Sequence, residues 1–122
     1  MYYSDIINVP YKAHGRDLNG LDCYGAVIMC CERAGTPLRD VYYKRDSVPA
    51  SETEHYIAQG LNVRKIDREQ VGAVCEMEYS GHLHVGYIVA RGLVLHATRH
   101  GVKVSPVQAV HIKNYYEVVN ED

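Results

Sequence analysis

The chain contains no tryptophan and no phenylalanine, so 11 tyrosines carry all of its large aromatic surface. A tyrosine has an apolar body and a hydroxyl that needs a partner, so the core is expected to be aliphatic with tyrosines at its margins. Neither sign of charge is in excess: 13 Lys and Arg against 15 Asp and Glu leave a net −2. That balance gives no electrostatic footprint for nucleic acid or for an anionic membrane surface. No apolar run approaches the roughly 20 residues of a membrane-spanning helix. The opening MYYSDIINVP lacks the basic start and apolar core of a signal peptide. The four cysteines, Cys23, Cys30, Cys31 and Cys75, form neither a C-x-x-C pair nor a disulfide framework. Synthesis in a reducing compartment fits that usage. No repeat, linker or low-complexity segment interrupts the 122 residues, which read as one domain, 1–122.

The first 20 residues read as irregular, punctuated by Pro10, Gly15 and Gly20. Residues 23–34, CYGAVIMCCERA, are apolar on nearly every side, which predicts a buried helix. Asp22 is its N-cap, and Gly35 followed by Pro37 ends it. Residues 38–50 read as a Tyr-rich charged loop. A short helix is predicted over 51–59, with a capping box of Ser51 and Glu54. From residue 71 the period becomes two. VGAVCEMEY (71–79) reads as a half-buried strand, with Glu76 and Glu78 on its wet face. Strands are also predicted over 83–90, 93–98, 102–104 and 115–119, with Ser105-Pro106 opening a short helix. Helices first and an antiparallel meander afterwards predict an α+β fold.

Cys23 falls in the first turn of the buried helix. Free N–H groups and partial positive charge there favour a thiolate, so its pKa is expected to fall. Gly20 and Gly25 bracket it and would let another chain come close. The alternative is a small core residue, like Cys30 and Cys31 further along the helix. A nucleophilic thiol needs a base, and five of the seven histidines follow residue 80. His84 and His96 lie inside apolar strands. A two-residue turn at Arg91-Gly92 would pair 87 with 96 and send the two rings to opposite faces. A three-residue loop, Ala90-Arg91-Gly92, pairs 86 with 96 and makes the rings diagonal neighbours. The second register is predicted, with Gly86 leaving room above His96. A rival reading uses His82, His84, His96 and His100 as zinc ligands, but it leaves Asp22-Cys23 and Tyr11 without a role. His84 would then take the Cys23 proton and later protonate the leaving amine, with His96 orienting its ring.

These residues resemble the NlpC-type family of papain-like cysteine peptidases, which cut cell-wall peptides. GLDCYGAV (20–27) resembles its nucleophile motif, and HVGYIVARGLVLHA (84–97) its strand, turn and second strand ending in His-Ala. Tyr11, in YKAHG (11–15), matches the Tyr that the family carries 12 residues before its nucleophile. The resemblance implies a papain-like fold with N-terminal helices on a small antiparallel sheet and the nucleophile at the start of a buried helix. It implies Cys23, His84, His96 and Tyr11 as the catalytic set, Tyr11 beside the Cys23 backbone N–H in the oxyanion site. It also implies Asp22, able to bind a free amine, and Tyr24 on the substrate side, with no metal or other cofactor. Tyr24 in place of the usual Ser, and ERAGTPLRD (32–40), resemble the bacteriophage tail-associated branch. VGAV (71–74) has Ala73 where the family often has Asp, and His14 stands where Gly or an aromatic is usual. The implied partners are a peptidoglycan peptide and other tail proteins. The implied location is a virion tail acting at the cell wall after cytoplasmic synthesis without a signal peptide. A non-catalytic tail-assembly or binding module, or an amidase on the same scaffold, are the alternatives.

Overall fold

The computed structural model describes residues 1–43, 48–49, 53–79 and 82–119. Two very short strands, β1 (Arg16–Asp17) and β2 (Gly20–Leu21), pair within the segment expected to be irregular. Helix α1 (Cys23–Arg33) follows, then β3 (Val48–Pro49), α2 (Thr53–Ala58), β4 (Val63–Ile66), β5 (Val74–Tyr79), β6 (His82–Ala90), β7 (Leu93–Thr98), β8 (Gly101–Pro106) and β9 (Ile112–Val118). The expected capping box of Ser51 and Glu54 lies outside the described side chains. No helix among the described residues is long and apolar enough to cross a membrane.

The sheet runs β4-β9-β5-β6-β7-β8, with β3 paired to β6. The predicted meander is β5 to β8. β9 then returns to the far side of β5 and carries β4 outside it. The short helix expected to open at Ser105-Pro106 is a 3₁₀ turn over Val107–Ala109, because Ser105 and Pro106 complete β8.

Helix α1 begins and ends as its sequence dictates. The Asp22 side chain accepts from the Gly25 amide, and Gly35 takes the left-handed conformation just past the last turn. Its buried residues pack with Val74, Tyr87, Leu95, Ala97 and Val102 on one face of the sheet. Ala73, Cys75, Met77, Ile88 and Val94 form a second cluster, with Val107, Val110 and Ile112 against it. The sheet is therefore covered on both faces, which corrects the half-buried reading of β5. Val74 and Glu76 are buried as well as Cys75 and Met77. The Glu76 carboxylate is stabilised there by a bond from Asn114 Nδ2 at 2.8 Å. Val71 stays exposed, because residues 71–72 form a turn ahead of the strand.

The β6–β7 hairpin decides the geometry around the histidines. Ala90 pairs with Leu93 across Arg91-Gly92, and the register then shifts by one residue before Ile88↔Val94 and Tyr87↔Leu95. Beyond that bulge the ladder has the register of the predicted three-residue loop, with Gly92 in the left-handed conformation. The space at Gly86 is not open. A Cβ there would lie 2.6 Å from Val94 Cγ2 and 2.9 Å from Met77 Cε. Gly86→Ala is therefore expected to cost about 1–3 kcal/mol through overpacking, read from the urea midpoint. An unchanged midpoint would show that Met77 and Val94 yield freely.

Candidate functional site

Cys23 is the first residue of α1 and half-buried. Its neighbour on the sheet is the backbone of Val85, whose N–H lies near enough to the sulfur to favour its charged form. Among the described residues, neither ladder on the β7-side edge of β6 takes in Val85. β7 pairs with β6 over residues 87–90, and β3 pairs with it over residues 82–83. The helix start thus meets β6 next to His84. The expected lowering of the Cys23 pKa is not what the surroundings produce. Burial pushes the thiol up to about 11, the Val85 amide opposes this, and the Asp22 charge adds to it. Desolvation outweighs the helix terminus. Cys30, Cys31 and Cys75 are pushed up to about 12 by burial.

His84 and His96 lie on one sheet face, His84 Nε2 at 3.0 Å from His96 Nδ1 and the rings edge-to-face. His96 is 7% exposed, and its Nε2 lies 2.9 Å from Ser105 Oγ. Burial, then the neighbouring His96, lowers His84 to about 4; burial lowers His96 too. Both rings are neutral at pH 7, so each has one bare nitrogen. Tyr11 is half-buried against the core and forms a parallel bridge with Leu21, two residues before Cys23.

Asp22 is 1% exposed and its carboxylate is surrounded. Oδ1 accepts from the Gly25 amide at 2.7 Å and from Arg16 Nη1 at 2.9 Å. Oδ2 accepts from the His14 amide at 3.0 Å and from the Tyr43 hydroxyl. Four bonds fill the capacity of a carboxylate. Arg16 is equally committed. Its Nε and Nη2 bind Asp40 at 2.9 and 3.0 Å, Nη2 also binds Tyr43 Oη at 2.6 Å, and Nη1 binds the Gly15 carbonyl at 2.9 Å. Burial pulls the guanidinium down, but Asp40 and Tyr43 outweigh it and hold its pKa above the ordinary value. Its charge lies 5.7 Å from the Tyr24 ring centre and 5.5 Å from that of Tyr43. The Tyr24 hydroxyl donates to the Arg39 carbonyl, and burial, then the Asp40 charge, raises its pKa.

The segment that comes close to Gly25 is the chain's own. A Cβ at Gly25 would sit 2.0 Å from the Gly15 carbonyl oxygen. His14 takes a left-handed backbone, φ 59°, which aims its amide at Asp22, and its ring stacks on Tyr43 at 4.6 Å. Sequence reasoning did not single out Arg16, Asp40 or Ser105. No spacing links them to Cys23, since the fold alone brings the three segments together. Among the described residues no three His, Cys, Asp or Glu side chains group as a metal site, and the His82 side chain of the zinc reading lies outside them.

Residues 8–121 match the family described as NlpC/P60. Among solved structures, the fold is similar to the NlpC/p60 domain of the peptidoglycan hydrolase SagA. The TM-score is 0.61 at 21% identity, covering 93% of this chain and 90% of that one. No curated protein sequence matches the chain.

Two expectations follow. Asp22→Ala strips the helix cap and leaves Arg16 without its buried partner, so denaturant unfolding is expected to show a loss of about 3–5 kcal/mol. A loss below about 1 kcal/mol would remove Asp22 from the structural role. His84, held near 4 in the folded state against 6.5, makes the unfolded chain bind more protons between those values. Stability therefore falls as pH drops from 6.5 through 4, by up to about 3 kcal/mol from this group. His84→Gln is expected to flatten that dependence; parallel curves for the two proteins would refute it.

Proposed function

Because the chain belongs to the NlpC/P60 family, we propose that it is a cysteine hydrolase that cleaves an amide bond in bacterial cell-wall peptides, with Cys23 as the nucleophile. The observation that carries this reading is the seating of Cys23: first residue of α1, capped by Asp22, with its sulfur near the backbone of Val85, the residue after His84. His84 is the base, acting through Nδ1, because its Nε2 is engaged with His96. The resting pair is a neutral thiol and a neutral imidazole, so the proton moves to His84 as the sulfur attacks the carbonyl carbon. The oxyanion is held by the Cys23 backbone N–H and the Tyr11 hydroxyl. As the C–N bond breaks, His84 returns the proton to the leaving amine and a thioester remains on Cys23. Water, deprotonated by His84, then attacks the thioester carbon; the C–S bond breaks, the acid leaves, and His84 returns the proton to the Cys23 sulfur. An amidase would use the same steps.

In this reading Asp22 positions α1, and its saturated carboxylate leaves recognition of the substrate to other groups. Tyr24 contributes its ring on the substrate side. The chain acts as a tail-associated protein of a phage or prophage, with other tail proteins as partners. Tyr24 and the 32–40 segment support this, and the Tyr24–Arg39 bond ties the two together. One observation favours a second reading, a non-catalytic binding module: the Cys23 thiol is raised by burial as the three core thiols are.

Digestion of purified peptidoglycan, read by mass spectrometry of the released peptides, separates the two. Wild type is expected to release peptides, and Cys23→Ala and His84→Ala to lose about 10³-fold or more. His96→Ala is expected to be slowed while remaining folded. Undiminished release by Cys23→Ala would overturn the mechanism. No release by wild type, with Cys23 as inert to iodoacetamide as Cys75, would favour the binding module.

A further inference from the structure

We propose that Ser105 is a positioning residue: by accepting a hydrogen bond from His96, it fixes which nitrogen of His84 is free to take a proton. The functional meaning rests on the reading of His84 as the base; the hydrogen-bond arrangement can be read without it.

The three side chains form a line. Ser105 Oγ meets His96 Nε2 at 2.9 Å, and His96 Nδ1 meets His84 Nε2 at 3.0 Å. A neutral imidazole carries one N–H and one lone pair, so each contact needs one donor and one acceptor. Only two arrangements satisfy both contacts. In the first, Ser105 Oγ accepts from His96 Nε2–H, His96 Nδ1 accepts from His84 Nε2–H, and His84 Nδ1 is bare. In the second, every bond is reversed: Ser105 donates, His96 Nδ1–H donates to His84 Nε2, and His84 Nδ1 carries the proton.

The second arrangement cannot serve a base acting at Nδ1. It also fails once His84 is protonated, because two N–H groups would then face each other across 3.0 Å. The first survives both states, since a doubly protonated His84 still donates to His96 Nδ1. A serine suits the far end because its hydroxyl accepts without bringing charge, and its own proton is free to rotate away. A carboxylate in that place would draw positive charge onto His96; the hydroxyl leaves His96 neutral beside His84.

The strand register explains why Ser105 fills this place. On β8, Lys103 stands directly opposite His96, and Ser105 is the next residue on the same face. The Lys103 ammonium is drawn aside to Asn8 Oδ1 at 2.7 Å. Ser105 is thereby the partner of a ring that is 7% exposed. With the hydroxyl removed, little solvent is at hand to hold His96 in one tautomer.

The test is ¹⁵N NMR of histidine-labelled protein, with kinetics on cell-wall peptide. Wild type is expected to show His96 and His84 both as Nε2–H tautomers. Ser105→Ala is expected to mix the tautomers and lower kcat about 10–100-fold with KM within about 2-fold. Ser105→Thr, which keeps the oxygen, is expected to restore both readouts. Wild-type His96 found as the Nδ1–H tautomer overturns the proposal, whether or not any variant folds. Unchanged tautomers and kcat in a folded Ser105→Ala overturn it equally. Pure Nε2–H tautomers in a wild type that cleaves nothing would uphold the hydrogen-bond arrangement while the hydrolase reading fails.

Discussion

The rest of the site depends on one buried carboxylate. Asp22 caps α1, receives the His14 and Tyr43 groups and holds the Arg16 charge, so three segments meet at two oxygen atoms. A buried carboxylate is tolerable only when its acceptor capacity is filled, and here it is filled. Cys23 follows directly in the chain, so what fixes Asp22 also fixes the sulfur. The same charge disfavours a thiolate next door. Burial first, and this charge after it, keep the thiol protonated at rest.

The sheet makes the second contribution by being incomplete. A strand with both edges fully paired offers no backbone N–H to a side chain. The β7-side edge of β6 is shared between two short ladders, neither of which takes in Val85, and the Val85 backbone lies near the sulfur. A one-residue bulge near the turn keeps His84 and His96 on one face. Without it every residue of β6 beyond the turn would oppose the wrong face of β7.

Local physics made part of this legible in the sequence. The cap, the buried helix and the end at Gly35 follow from residue types a few positions apart, and the histidine register followed from loop length. Strand β4 and the small β1–β2 pair escaped notice because their four and two residues show too little periodicity to read. The burial of Glu76 was hidden because alternation tells which face a residue takes, not what covers that face. Arg16 and Ser105 were invisible for a different reason. Their partners are set by the tertiary path of the chain, and an arginine or a serine in a polar stretch looks like any other.

That path also orders events in time. The helix bearing Cys23 lies early in the chain, while His84, His96 and Ser105 lie on strands that come much later. A nascent chain grows from its N-terminus, so the thiol is synthesised well before the groups proposed to act with it. Closing such long-range contacts is the slow part of folding. In the proposed mechanism, then, the sulfur can reach a base only after the strands that bear His84 and His96 have joined the sheet.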